Sequence, residues 1–89
     1  MVTPYTQETH SENSFVRTFE PTIDSDELKW HYDEKDRLVT VLENDGWMFQ
    51  FDNLLPQNLT GSIEIKARTW HRVIKGKGIL KVMIEEKDI

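Results

Sequence analysis

Apolar and polar positions alternate with a period of two along much of this chain, and nowhere do they recur at helical spacing over three turns. The clearest stripe is Trp47, Phe49 and Phe51, interleaved with Met48, Gln50 and Asp52. Leu80, Val82 and Ile84 alternate with Lys81, Met83 and Glu85 in a closing strand, and Ile63 and Ile65 share one face of a shorter one. A β-branched run, Val39-Thr40-Val41, centres a strand over residues 37–42. Residues 28–33 read as a short, aromatic-rich strand, 70–74 as another, and 14–19 alternate more weakly as a first. Asn44-Asp45-Gly46 predicts a tight hairpin turn, because Asn and Gly accept positive φ cheaply, and Lys75-Gly76-Lys77-Gly78 predicts a second. Residues 20–27, with Pro21, and 53–61, with Pro56, read as loops. The expectation is an all-β sandwich or barrel built from short strands.

Residues 1–13 are polar and aperiodic, so a flexible N-terminal tail over 1–13 and a single barrel domain over 14–89 are expected, with His10 solvated in the tail. With 89 residues there is room for one core. A domain of this size buries about 60–65% of its unfolded surface. Only 37% of the residues are hydrophobic and 30% are charged. That apolar shortage predicts a homodimer that covers one sheet face.

Charge and composition then remove several function classes. A net charge of −5 argues against electrostatic capture of nucleic acid. Cysteine is absent, which excludes a disulfide framework and thiolate chemistry. No run approaches membrane-spanning length, and residues 1–13 contain no apolar signal core, so no membrane association and a cytoplasmic location are expected. On that expectation the sequon Asn58-Leu59-Thr60 carries no meaning. The acidic group Asp24, Asp26 and Glu27 lacks the glycine and terminal glutamate of an EF-hand loop and reads as a solvated surface. Likewise Lys75–Gly78 lacks the strand-to-helix context of a phosphate loop.

What remains is a histidine and an acid two apart, His31 and Asp33, with a second histidine, His71, far down the chain. Side chains two apart on a strand project from the same face, roughly 6.6–7 Å apart. Two imidazoles and a carboxylate converging from two strands form a facial N,N,O set with open positions, suited to Fe(II), Mn(II), Ni(II) or Zn(II). Each histidine has an ordinary alternative, a half-buried ring hydrogen-bonded to a neighbour. Arg37 fits two roles: an internal ion pair with Asp33, or a fork for a ligand's carboxylate or phosphate. Trp47 and Phe49 are core residues first and ligand-binding walls second. Trp30 and Trp70 point away from the histidines, toward packing between sheets or a dimer interface.

These residues resemble the two motifs of the cupin family. The first cupin motif reads His-x-His, three or four residues, Glu, then six residues to Gly; the second contains Pro-x-Gly-x-x-His. Aligned on Val41-Leu42-Glu43-Asn44, His31 takes the place of the first histidine and Asp33 that of the second. Arg37 stands at the glutamate and Asn44 at the glycine. The segment from Ile65 to His71 resembles the second motif, with His71 as its histidine and with Lys66 and Arg68 where proline and glycine are usual. The likeness spans roughly residues 28–85. The chain is also similar to small cupin-like proteins of bacteria and marine phages that share Trp-His, Asp-Arg, Gly-Trp and Phe-Gln-Phe-Asp pairs and runs.

The resemblance implies a double-stranded β-helix (a jelly-roll barrel), frequent dimers, and a barrel mouth that holds a divalent metal or a small organic molecule. It implies no single activity. Three of the usual four ligands remain, His31, Asp33 and His71, because a guanidinium at Arg37 cannot ligate and raises the cost of placing a cation nearby. Asp36 replaces the missing glutamate only if a bulge turns it inward. Three readings stay open: a metal-binding pocket that acts on a small anionic substrate, a metal-free binding or sensor module, and a dimeric structural protein.

Overall fold

The computed structural model describes residues 3–87. Eight antiparallel strands form two sheets: β1 (Thr6–Ser11), β2 (Ser14–Phe19), β3 (Asp36–Glu43), β4 (Met48–Phe51), β5 (Gln57–Asn58), β6 (Ser62–Ile65), β7 (His71–Ile74) and β8 (Leu80–Lys87). The larger sheet has the order β1-β2-β8-β3-β6 and the smaller β5-β4-β7. A single 3-10 turn, Ser25–Glu27, is the one helical element among the described residues; Asp24 caps it by accepting from the Asp26 amide at 3.0 Å.

The alternation read from the sequence sets which faces meet. Phe15 and Phe19 of β2, Val39 of β3, Ile63 and Ile65 of β6, and Leu80, Val82 and Ile84 of β8 all bury against Phe49 of β4 and its neighbour Trp47. Registers align them into inward rows: Phe15 opposes Ile84, which opposes Val39, which opposes Ile63. Leu80 and Trp47 are 0% and 1% exposed. The Trp47 indole still satisfies its donor, giving its Nε1 proton to the Gly78 carbonyl at 2.7 Å.

Four expectations change. Residues 6–11, assigned to a loose tail, form β1 and hairpin onto β2. The strand is polar throughout and every residue is exposed, so no hydrophobic stripe marked it; its stability comes from backbone pairing with β2. Met1 and Val2 of that expected tail lie outside the described residues. Residues 28–33 do not form a regular strand, because the segment meets its neighbour only at an isolated bridge between His31 and His71. Their alternation survives nonetheless: Trp30 and Tyr32 lie exposed while Asp33 turns inward.

The two expected hairpin turns are corners that carry the chain from one sheet to the other, since β3 and β4, and β7 and β8, belong to different sheets. The corners pack on each other. The Asp45 carbonyl accepts from the amides of Lys77 and Gly78 at 2.9 and 3.2 Å, and the Asn44 side chain bonds Trp47 in both directions. Gly46 takes φ of +84°, as the turn requires. Gly76 is needed for space: an added Cβ there would fall on the backbone of Asp45, Gly46 and Trp47. Finally, Leu59, inside the segment read as a loop, is 3% exposed and belongs to the core.

Arg68, at the motif position usually held by glycine, has φ of +62°. Its amide donates to the Asp33 carbonyl at 2.7 Å, a bond that needs this left-handed backbone and ties the 66–69 turn to the segment carrying His31 and Asp33. The arginine keeps the geometry the glycine would adopt freely, at a conformational cost of about 1–2 kcal/mol.

Two substitutions test these constraints by thermal or denaturant unfolding. Gly76→Ala is expected to destabilise by about 2–3 kcal/mol through backbone overpacking. Gly61→Ala, with φ of +63° and nothing near the added Cβ, costs about 1 kcal/mol; the reverse ranking would overturn the close-packing account. Arg68→Gly is expected to stabilise by about 0.5 kcal/mol, the relief of the left-handed strain less the extra chain entropy of glycine. A loss of stability would show that the exposed Arg68–Glu34 pair, 3.1 Å apart, outweighs the backbone term.

Candidate metal centre

Three elements converge on the site. The irregular segment after the 3-10 turn carries His31 and Asp33, β3 carries Arg37, and β7 begins at His71. His31 and His71 are fastened by reciprocal backbone bonds, His31 amide to His71 carbonyl at 3.0 Å and the converse at 2.9 Å. Their rings therefore lie side by side, centroids 4.3 Å apart at a T-shaped angle. The His71 ring also stacks on Phe49 at 5.5 Å and is 4% exposed, whereas His31 is exposed.

The tautomers follow from the hydrogen bonds. His31 Nδ1 lies 3.1 Å from the Lys29 carbonyl, and His71 Nδ1 lies 2.7 Å from the Thr69 carbonyl. A carbonyl oxygen only accepts, so each Nδ1 carries the proton and each neutral ring offers Nε2 as a lone-pair donor. Orientation of this kind, through the other ring nitrogen, is how metal-ligating histidines are held.

His31, Asp33 and His71 each present a potential ligand atom, all within 4.8 Å of one another. His71 Nε2 stands 3.4 Å from Asp33 Oδ2, and Oδ2 is buried without a hydrogen-bond partner. That spacing is near the ~3 Å separating cis ligands on an ion with bonds of about 2.1 Å. Two lone pairs facing each other at this distance need positive charge between them, either a proton on Nε2 or a metal ion. The donor set and the orphaned oxygen thus fit a divalent ion.

The other carboxylate oxygen, Asp33 Oδ1, faces Arg37 Nη1 at 3.1 Å. Arg37 spends its remaining contacts on Glu86, whose Oε2 accepts from Nε at 2.9 Å and Nη2 at 2.7 Å. The internal Arg37–Asp33 pair considered from the sequence is present, and Glu86 is a partner the sequence did not reveal. Burial pushes the Asp33 pKa up, but the facing His71 imidazole and the Arg37 charge outweigh it and hold the carboxyl below its usual range. Burial also lowers the His31 pKa, reinforced by the nearby His71 and Arg37 charges and opposed by the Lys29 carbonyl, which keeps its Nε2 lone pair available. Asp36 does not reach the site: its carboxylate accepts from the Ala67 amide at 2.8 Å, and the bulge in β3 falls between Val41 and Glu43 instead.

The three groups open onto a cavity of about 340 Å³ between the sheets, with apolar walls that include Phe49, Val39 and Ile84. Arg37 and Phe49 line it, and Trp47 is not among its lining residues; Trp47 is closed into the core at the corner. Arg17 and Tyr5 line it too, a contribution from β2 and the chain before β1 that sequence reading missed. The available signal was the parity of Arg17 with Phe15 and Phe19, which places it on the inward face. Trp30 and Trp70 do not pack between the sheets. Both are exposed, Trp70 edge-to-face with Tyr32 at 4.9 Å and Trp30 under the Arg72 guanidinium at 4.6 Å.

No family model and no curated protein matches this sequence. Solved structures do. A cupin family protein with a double-stranded β-helix fold from Methanocaldococcus jannaschii aligns with a TM-score of 0.67 and 10% identity, over 98% of this chain and 83% of that one. A cupin domain from Bordetella pertussis aligns with 0.62 and 21% identity, over 98% of both chains. Fe(II)-HppE in a structure with the alternative substrate (S)-1-HPP aligns with 0.65 and 19% identity over 93% of this chain, which spans about half of that one, 48%. Among the described residues no helix is long and apolar enough to cross a membrane. With two antiparallel sheets closed around one core and these neighbours in structure, the chain has the cupin fold, a double-stranded β-helix.

Proposed function

We propose that this protein binds a divalent transition metal, Fe, Mn, Ni or Zn, through His31 Nε2, His71 Nε2 and the Asp33 carboxylate, and that the adjoining cavity receives a small organic molecule. The observation that carries the reading is the buried, unpartnered Asp33 Oδ2 facing His71 Nε2 at 3.4 Å. The Fe(II) of HppE, a neighbour in fold, supports iron among the candidates. A divalent ion bound there supplies Lewis acidity to an oxygen-bearing ligand.

The chain's own residues prepare the place. The Lys29 and Thr69 carbonyls keep the Nδ1 protons and aim both Nε2 atoms inward. Phe49 fixes the plane of the His71 ring, and the apolar walls limit water around the ligand groups. Arg37 orients Asp33 and withdraws part of its charge, which weakens the site for a cation relative to one with a glutamate at that position.

That same guanidinium favours a second reading, a metal-free binding module. The Arg37 cation already compensates Asp33, and a proton on His71 Nε2 would satisfy the facing oxygen.

Metal analysis of untagged protein separates the two. About one equivalent of ion is expected, lost in His31→Ala and in His71→Ala. Absence of bound ion, together with no change in melting temperature on adding Fe(II), Mn(II), Ni(II) or Zn(II), would leave the metal-free module. Arg37→Gln is expected to tighten metal binding roughly tenfold by removing a neighbouring positive charge. The metal-free fold of that variant loses about 1–3 kcal/mol, because Asp33 and Glu86 are left half-buried and unpaired. Unchanged affinity would show that the guanidinium does not influence an ion at this position.

A further inference from the structure

The cavity holds a second arginine whose situation is the opposite of Arg37's. Arg17 sits on the inward face of β2, opposite Val82 of β8, one inward row from Phe15. Its Nε donates to the Gln7 side chain at 3.0 Å. Its guanidinium carbon lies 4.0 Å from the Tyr5 ring centroid and 4.9 Å from that of Phe15. Those contacts fix the plane of the fork while leaving both Nη groups without a hydrogen-bond partner among the described residues, and Arg17 makes no ion pair among them. Arg37, in contrast, lies 5.7 Å from the Phe15 ring centroid and is paired with Asp33 and Glu86.

A half-buried cation with no counter-charge is costly unless something satisfies it. Burial lowers the Arg17 pKa, and the nearby Arg37 charge acts in the same direction, while Tyr5, Asp33 and Glu86 oppose the change. Guanidinium stays protonated under all ordinary conditions, so an anion, and not loss of the proton, would meet the deficit. A planar fork, pre-set by an aromatic face and one side-chain acceptor, is matched to the paired oxygens of a carboxylate or phosphate. Glu27 also lines the cavity but does not pair with Arg17, so it does not supply that anion.

We propose that Arg17, positioned by Gln7 and Tyr5, is the group that selects an oxyanion-bearing small molecule for this cavity, holding its carboxylate or phosphate end while the rest of the molecule extends toward His31, Asp33 and His71. This rests on the cavity being the ligand site, as proposed above, but not on metal being bound. It also moves the anion-recognition role expected of Arg37 to a residue on a different strand.

Calorimetric titration of inorganic phosphate and of malonate into the full chain in EDTA tests the assignment without any metal contribution. Wild type is expected to bind at least one of the two. Arg17→Gln is expected to weaken that binding roughly ten- to hundredfold. Arg17→Lys keeps the charge but loses the fork and is expected to weaken it less; it serves as the readout if Arg17→Gln does not fold. Gln7→Leu, which frees the fork without removing its charge, is expected to weaken binding severalfold. The exposed Arg68→Gln carries the same charge change and is expected to leave the affinity unaltered. Absence of binding of both anions to wild type, or equal affinity in wild type and the Arg17 variants, would overturn the assignment. Anion binding that depends on Arg17 in a protein that takes up no metal would sustain it while removing the metal site.

Discussion

Asp33 is where the separate pieces of this molecule are joined. One carboxylate oxygen faces Arg37 of β3, the other faces His71 of β7, and its backbone carbonyl accepts from Arg68 in the turn before β7. A carboxylate in so enclosed a place is stable only because cationic or protonated partners surround it. Whatever stands between Oδ2 and His71 Nε2 completes that compensation. The site is therefore a structural knot as much as a chemical one, and the electrostatics that hold the barrel mouth together are the same ones that a ligand would meet.

The topology explains why this knot is needed. β8 is the central strand of the larger sheet, paired with β2 on one side and β3 on the other, both distant in sequence. The segment carrying His31 has no ladder of its own, only the one bridge to His71. Without regular pairing, its place depends on that bridge, on the Arg68–Asp33 backbone bond, and on side-chain charge. The aromatic core around Trp47 is organised differently, by two corners stacked on each other through Asp45, Gly76 and Gly78. One end of the barrel is thus closed by tight backbone contact, while the mouth around His71 is held by polar and charged groups centred on Asp33.

The two arginines show how identical side chains diverge with position. Arg37 lies in the row that contains Glu86 and is saturated by carboxylates. Arg17 lies in a row whose neighbour is Val82 and, among the described residues, its guanidinium bonds only an amide oxygen and lies against aromatic faces. Cross-strand register, not residue type, decides which guanidinium is tied to carboxylates and which has no ion pair among the described residues.

Much of this was written in the sequence. Period-two alternation identified β2, β4, β6 and β8 and, in Trp47, Phe49, Ile63, Ile65, Leu80, Val82 and Ile84, much of the core, while a β-branched run identified β3; burial of one sheet face imposes that spacing on a strand. The spacing of His31 and Asp33, with His71 in the second motif, marked the residues that the fold brings together. Other features carried no such mark. A wholly exposed strand such as β1 has no hydrophobic period, and Leu59 is a single buried residue in an otherwise exposed loop whose other leucines, Leu54 and Leu55, face solvent. Whether Asn44-Asp45-Gly46 joins paired strands or turns a corner depends on where the next strand finds its partners. The sequence by itself determined an all-β shell and four of the groups at its mouth, His31, Asp33, Arg37 and His71, since these follow from strand pattern and motif spacing. Only the tertiary structure decided that Glu86 occupies Arg37 while Arg17 stays uncommitted, because that depends on registers between strands dozens of residues apart.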